Sequence, residues 1–266
     1  MDTHLIHDGL PPELLEDMHL NQRARQEWAG GQGRFLLGLT HFMLISDHYI
    51  RGWHDKLSVD TYGLQMLLRG AIEYDYHFDH WWHQLDEDHR RWVCLHVVRS
   101  GTAAARVRAL LRLQELPDTS RPVIPRLVAQ ALEVETDQAV RLAALRLLGS
   151  RAAQTPTQPD YGFTTGQQTR LLQSMTRLGL VLAEPTLWRD VVYSPQIDHL
   201  IASIALNDPD QTVAQMAARV VGQMRSLTAV RVIAQAQRDR QPGALRALAL
   251  VRDEALSLPD TVARPA

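Results

Sequence analysis

The chain is 266 residues long, 45% hydrophobic and 22% charged, with a formal net charge of −2. That length can bury a core as one globular domain or as a short repeat array, and the near-neutral balance gives no bulk pull toward nucleic acid or membrane. One cysteine, Cys94, excludes an intrachain disulfide and agrees with a reducing cytoplasm.

Taken in order, residues 1–9 read as loose. The start MDTHLIHDGL has neither a positive n-region nor an apolar h-region, so no signal peptide is expected. Pro11-Pro12 followed by Glu13, Glu16 and Asp17 reads as a helix start, running to about Trp28. Gly30-Gly31-Gln32-Gly33 breaks it. This glycine run lacks the Gly-Lys-Ser/Thr ending and the preceding strand of a phosphate loop, and reads as a plain connection. Phe35, Leu36, Leu39, Phe42 and Met43 mark a second helix to about Ile50. Leu64, Leu67 and Leu68 mark a third, which ends at Gly70 or continues toward Leu85. Asp86-Glu87-Asp88 is a turn and cap signal for a helix ending near Gly101. Thr102–Leu116 is another helix, stopped by Pro117. No stretch alternates with period 2, and no apolar run approaches the ~18–20 residues of a membrane span, so an all-α chain is predicted.

Residues 122–149 set out a helical hairpin. Ile124, Leu127, Val128, Ala131 and Leu132 share one face. After the turn Glu135-Thr136-Asp137, Val140, Ala144, Leu147 and Leu148 share another. Gly149 stands where a C-cap would sit. The same pattern returns with Ile197, Leu200, Ile201, Ile204 and Ala205, then Val213, Ala217, Val220 and Val221, then Gly222. The step is constant (222 − 149 = 73). A step of 73 is about twice the ~36–40 residues of a two-helix repeat, so one further unit is expected in between. After the polar stretch from Gln154 to Gly162, Leu171, Leu172, Met175, Leu178 and Leu182 mark a helix that would belong to it. A last hairpin covers about 228–257, turning at Gln241-Pro242-Gly243, and 259–266 is a polar tail.

Asp137 and Asp210 ahead of a valine, the pairs Ala143-Ala144 and Ala217-Ala218, and the closing glycine resemble HEAT repeats in their short bacterial form. The resemblance covers about 120–150 and 195–257. The family also carries an arginine just after the valine; Arg141 keeps it and Ala214 does not. The resemblance implies a right-handed α-solenoid of HEAT-like hairpins with an irregular helical N-terminal region. The HEAT-like bilin lyases share this repeat, but no residue here singles them out. The expected organisation is 1–100, acidic, His/Trp-rich and helical; 101–258, HEAT-like repeats; and 259–266, the tail.

Charge divides with that boundary. Residues 1–100 hold 9 Lys+Arg against 15 Asp+Glu, and residues 101–266 hold 19 against 15. Lys56 is the only lysine. That bias, with abundant Ala, Leu and Val, suggests a GC-rich bacterial genome. Eleven of twelve histidines and five of six tryptophans precede residue 97. On a helix spanning 73–89, His77, His80 and His83 would step along one side, a spacing with the ligand types for zinc or iron. No two-His-plus-Glu signature accompanies them, so no metal and no cofactor is assigned. Adjacent aromatics on one helix cannot all face one core, since neighbours lie ~100° apart. Trp53, Tyr74, Tyr76, Trp81 and Trp82 are therefore the candidate partner-binding residues, with the junction between the N-terminal helices and the first repeat as their other role. Cys94 reads as a small buried residue. Arginines at 106, 108, 112, 121, 126, 141, 146 and 151 raise a nucleic-acid surface, but they are interleaved with acids and lack stacking aromatics.

The expected function is a non-catalytic protein–protein interaction module, a scaffold or adaptor subunit of a bacterial cytoplasmic complex. Its partner would be another protein lying across the second helices. The rival readings are a metal-dependent enzyme using 73–89 and nucleic-acid binding by the Arg-rich repeats.

Overall fold

The computed structural model describes residues 36–53, 60–117, 123–154, 188–189 and 191–257, with Gln26, which is helical; His48, Gly52, Trp53 and Gln154 are described by backbone alone. The expected helix from Pro11 to Trp28, the loop at Gly30–Gly33, the helix around 171–182 and the tail 259–266 otherwise lie outside these residues. Among the described residues the chain is all-helical, with eleven α-helices, a π-helical turn and no strand beyond one isolated bridge, Arg189 with Ser226. None of these helices is long and apolar enough to cross a membrane.

The chain forms two compact units that divide after Leu116. The first contains α1 (Leu39–His48), the π turn Tyr49–Trp53, α2 (Thr61–Tyr74), α3 (Phe78–His83), α4 (Glu87–Ser100) and α5 (Ala103–Glu115). Its boundary lies beyond the one read from composition at 100, because α5 packs on α2 and α4. Caps fix the starts: Asp60 accepts from Gly63 N, Asp86 from His89 N and Thr102 from Ala105 N, each satisfying a backbone donor the helix itself leaves open. Every residue from Gln65 to Glu73 is buried, which makes α2 the axis of this unit. The helix expected over 73–89 is broken. Asp75 and His77 have φ of 55° and 50°, left-handed conformations that end α2 and separate it from the short α3.

Burying all of α2 brings polar groups inside, and each meets a partner. Arg69, 3% exposed, donates to His96 Nε2 at 3.2 Å and to Ser100 Oγ at 3.3 Å. Arg108 donates to the carbonyls of Ile72 and Glu73, both at 2.7 Å, closing the C-terminal end of α2. Glu73 Oε1 accepts from Thr102 N at 3.1 Å. These bonds tie α2, α4 and α5 at one joint.

The second unit contains three hairpins: α6 (Val123–Val134) with α7 (Gln138–Gln154), α8 (Pro195–Asn207) with α9 (Gln211–Met224), and α10 (Leu227–Arg238) with α11 (Ala244–Ser257). The first helices neighbour one another, α6 to α8 and α8 to α10; so do the second helices, α7 to α9 and α9 to α11. The predicted stripes are the buried faces. Ile124, Val128, Leu132, Val140, Leu147 and Leu148 go inside, as do Ile201, Ile204, Val213, Val220 and Val221; burying each such side chain stabilises by ~1.5–3 kcal/mol relative to exposure.

One expectation falls partly outside the described residues and another changes. Among the described residues no hairpin intervenes between α7 and α9, which rest directly on each other; the unit expected around 171–182 lies outside them. Arg141 on α7 pairs with Asp208, and Gln138 donates to Asp210 Oδ2 at 2.6 Å. The described helices on the two sides of the step of 73 are thus direct neighbours. The glycines are not C-caps either: α7 runs on past Gly149 to Gln154, and Gly222 lies inside α9. Both mark close approach. A Cβ on Gly149 would meet Val220 Cγ2 and Gln223 Oε1 of α9; one on Gly222 would meet Val251 O and Glu254 Cβ of α11. Val251 and Glu254 follow Val220 and Gln223 by one step (251 − 220 = 31; 254 − 223 = 31). The same register is used twice. At α11 that step puts Arg252 and Asp253 where Val221 and Gly222 stand on α9, and both charged side chains are exposed.

Residues 188–189 and 191–194 are held against the second and third hairpins. Arg189 N donates to Arg225 O at 3.0 Å, and Leu227 N to Arg189 O at 2.8 Å. Asp198, fully buried on α8, accepts from Val192 N at 3.0 Å and from Ser226 Oγ at 2.5 Å. Burial raises its carboxyl above the ordinary value, against these hydrogen bonds, which lower it.

Candidate functional site

The structure gathers four of the five aromatic candidates into the first unit, but mostly inside it. Trp81 is fully buried on α3, its Nε1 donating to the buried Ser46 Oγ at 2.9 Å, and its ring lies 4.8 Å from that of Tyr49. Trp82 is 5% exposed, with its ring 5.2 Å from Phe78 and the Arg90 guanidinium 5.3 Å from its centroid. Both tryptophans pack among elements of their own unit, so a partner surface formed directly by them gives way to the packing role. Adjacent rings reach opposite neighbours here because α3 is short and wedged between other elements.

Tyr74 and Tyr76 are half-buried. Tyr74 donates to Leu37 O and Tyr76 to Asp47 Oδ1, both at 2.6 Å. The bond from Tyr76 holds Asp47 below the ordinary carboxylate range, and the same bond raises the Tyr76 phenol. Burial raises the Tyr74 phenol. Trp53 ends the π turn, and its side chain lies outside the described residues.

The break in the expected helix scatters its histidines. His77 caps α3 in the left-handed region, with Nε2 3.2 Å from Asp47 Oδ1. His80 sits edge-on to Tyr49 and Trp81, and His83 is exposed. Among the described residues, no three His, Cys, Asp or Glu side chains gather into a set that could hold a metal ion. Cys94 is completely buried, and burial pushes its thiol far up, which leaves it little thiolate character.

Most arginines of the candidate nucleic-acid set are occupied. Arg108 closes α2, Arg112 lies 4.3 Å from the Phe78 ring centroid and pairs with Glu115, Arg141 pairs with Asp208, and Arg151 is buried. Arg121 lies outside the described residues. Only Arg126 and Arg146 of that set are exposed.

Two accessible groups escaped the sequence reading. Trp92 is 39% exposed on α4, its ring stacked on His96 at 5.8 Å and 20°, and Tyr62 on α2 is 45% exposed. Trp92 lies on the helix read between Asp86 and Gly101, where the sequence reading gave it no role of its own. Its helical phase, opposite the buried Cys94, was the available signal. The second group is the outer strip of the second helices. α7 exposes only Gln138, Ala139, Arg146 and Ala153 outside its last residue, and α9 only Gln211, Thr212 and Arg219.

Comparison of the chain with protein-family models, curated proteins and solved structures found no match in any of the three.

Proposed function

We propose that the chain is a non-catalytic protein–protein interaction module, a scaffold or adaptor of a bacterial cytoplasmic complex. Its second unit would be a short right-handed α-solenoid of HEAT type. The observation that carries this reading is the repeated register of the second helices. α7 meets α9 and α9 meets α11 through equivalent positions, Gly149 against Val220 and Gly222 against Val251. Such stacking leaves a row of parallel helix faces open to a long partner. Trp92 and Tyr62, exposed on the first unit, are rigid aromatic anchors of the type that supplies interface energy, and they take the place of Trp81 and Trp82 as partner contacts. A single buried cysteine suits a reducing compartment.

The test is affinity purification of the tagged chain from its native host. A stoichiometric protein partner is expected, with recovery reduced by Trp92→Ala at unchanged thermal stability. A chain recovered alone, or with a full equivalent of zinc or iron and turnover, would sink the proposal.

A further inference from the structure

The face of α9 that receives α11 recurs, exposed, on α11 itself. On α9 this face holds Ala218 and Val221, both buried, with Gly222 in close approach and Arg225 donating to Ala255 O at 3.1 Å. The step of 31 carries Ala214, Ala218, Val221 and Arg225 to Leu245, Ala249, Arg252 and Leu256 (256 − 225 = 31). All four are exposed on α11, Leu245 by 69% and Leu256 by 57%. Their spacing, i, i+4, i+7, i+11, is the alternation of fours and threes that makes a seam on a helix paired side by side with another. The last helix of a stack ordinarily turns polar residues outward. Here leucine stands at both ends of the seam, in the places of Ala214 and Arg225.

The seam is symmetric about its own middle. Leu245 and Leu256 are centred between Leu250 and Val251, and so are Ala249 and Arg252. A two-fold contact needs this property, because each residue that meets a second must be met by it in return. The flank is symmetric too, with opposite charges: Arg246 and Asp253 lie on one side of the seam, centred between Ala249 and Leu250. Within one chain Arg246 meets the neutral Gln211 amide, and Asp253 pairs with Arg252 at the surface. We propose that the chain forms a two-fold dimer through antiparallel α11 helices that cross near Leu250. Leu245 of each copy packs on Leu256 of the other. The small Ala249 leaves room for the stem of the other copy's Arg252, whose guanidinium reaches water at the edge. Arg246 of each copy faces Asp253 of the other. A parallel pair would instead set Arg252 against Arg252. Side chains fill the gap at the ~8–10 Å of ordinary helix packing, so the main-chain approach made at Gly149 and Gly222 is not required. One helix pair buries less than the ~1,600 Å² of a standard interface, and association in the micromolar range is expected. Because the occupant is a second copy, the dimer does not depend on a host partner protein.

Sedimentation velocity of the purified full chain, from micromolar to submillimolar concentration, tests it. A monomer–dimer equilibrium is expected. Leu245→Glu together with Leu256→Glu should weaken association about tenfold or more, by removing apolar contact and adding like charges. The melting temperature of dilute protein should stay put, since both leucines are exposed. Arg246→Asp alone should weaken the dimer, and adding Asp253→Arg should restore it. Orientation is read by oxidation: a chain carrying Leu245→Cys should cross-link to one carrying Leu256→Cys, and neither to its own kind. The native Cys94 is buried and does not interfere. A monomer at every concentration, a dimer indifferent to the leucine substitutions, a charge swap that fails to restore it, or Leu245→Cys cross-linking to itself would each overturn the proposal. Each of these outcomes leaves the recovery of a host partner untouched, so the two readings fail separately.

Discussion

Gly149 and Gly222 hold the same position in successive hairpins, yet alanine should act on them with different results. At Gly222 an added Cβ would lie 2.6 Å from Val251 O, 2.8 Å from Glu254 Cβ and 3.3 Å from Ala255 N. Two of these atoms are α11 backbone and cannot swing aside. Relief requires α11 to back off by roughly 0.8 Å, which forfeits a quarter to a half of the dispersion along that seam. Overpacking against backbone falls in the upper part of the usual range, ~2–3 kcal/mol, and alanine returns ~1 kcal/mol of helix propensity. The net loss is ~1–2 kcal/mol. At Gly149 the worst clash is with Gln223 Oε1, the end of a flexible side chain, and Val220 Cγ2 at 3.1 Å needs only a small shift. Moving Gln223 gives up its hydrogen bond to Glu254, about 0.5–1 kcal/mol, which the propensity gain offsets. Gly149→Ala should therefore stay within ~0.5 kcal/mol of wild type. Urea unfolding followed by circular dichroism measures both, with unchanged m-values as the check on comparability. Equal losses in the two variants, or a Gly222→Ala protein as stable as wild type, would refute the close approach of α9 and α11.

Other substitutions test the interior of each unit. Trp81→Ala and Trp82→Ala should each cost ~3–5 kcal/mol in unfolding experiments, as buried aromatics do; unchanged stability would return them to the surface. Arg141→Ala should cost ~3–5 kcal/mol, because it strands the Asp208 carboxylate, whose side chain is 2% exposed. A double variant with Asp208→Ala should recover part of that loss in a double-mutant cycle. Asp198 has a folded-state carboxyl value raised by burial, so its contribution is fully present below its unfolded value of 3.8 and is lost as pH rises through the folded one. Asp198→Asn should flatten the stability profile in that window above pH 3.8, read by thermal melts across acidic pH. The same variant should be destabilised near neutrality by ~1–3 kcal/mol, since an amide cannot accept from Val192 N, Tyr193 N and Ser226 together without presenting a donor to one of them.

The hairpins were legible because helix burial is periodic. Ile124, Val128 and Leu132 were assigned inward by spacing alone, and they are buried. What the pattern could not carry was the neighbour. Gly149 followed by Ser150 looks like a helix end, and only the approach of α9 shows what a side chain there would meet. The step of 73 carried the shared register of the matched hairpins, but spacing could not tell that α7 and α9 are direct neighbours. Asp75 and His77 gave no local warning of left-handed backbone, so His77, His80 and His83 were placed on one face that does not exist. Trp81 and Trp82 looked too crowded to be interior, whereas a six-residue helix wedged among others buries both. Trp92, the accessible one, differs from them in phase rather than type.

Arg252 and Asp253 change what α11 offers a neighbour. A helix laid on α11 as α11 lies on α9 would need its main chain within contact distance of position 253, and a carboxylate now fills that space. It would also have to strip water from two opposite charges that already satisfy each other on the surface. The close backbone approach that Gly149 and Gly222 allow is therefore closed at position 253, and any helix meeting α11 would have to seat elsewhere, for example against Leu245 or Leu256, both exposed.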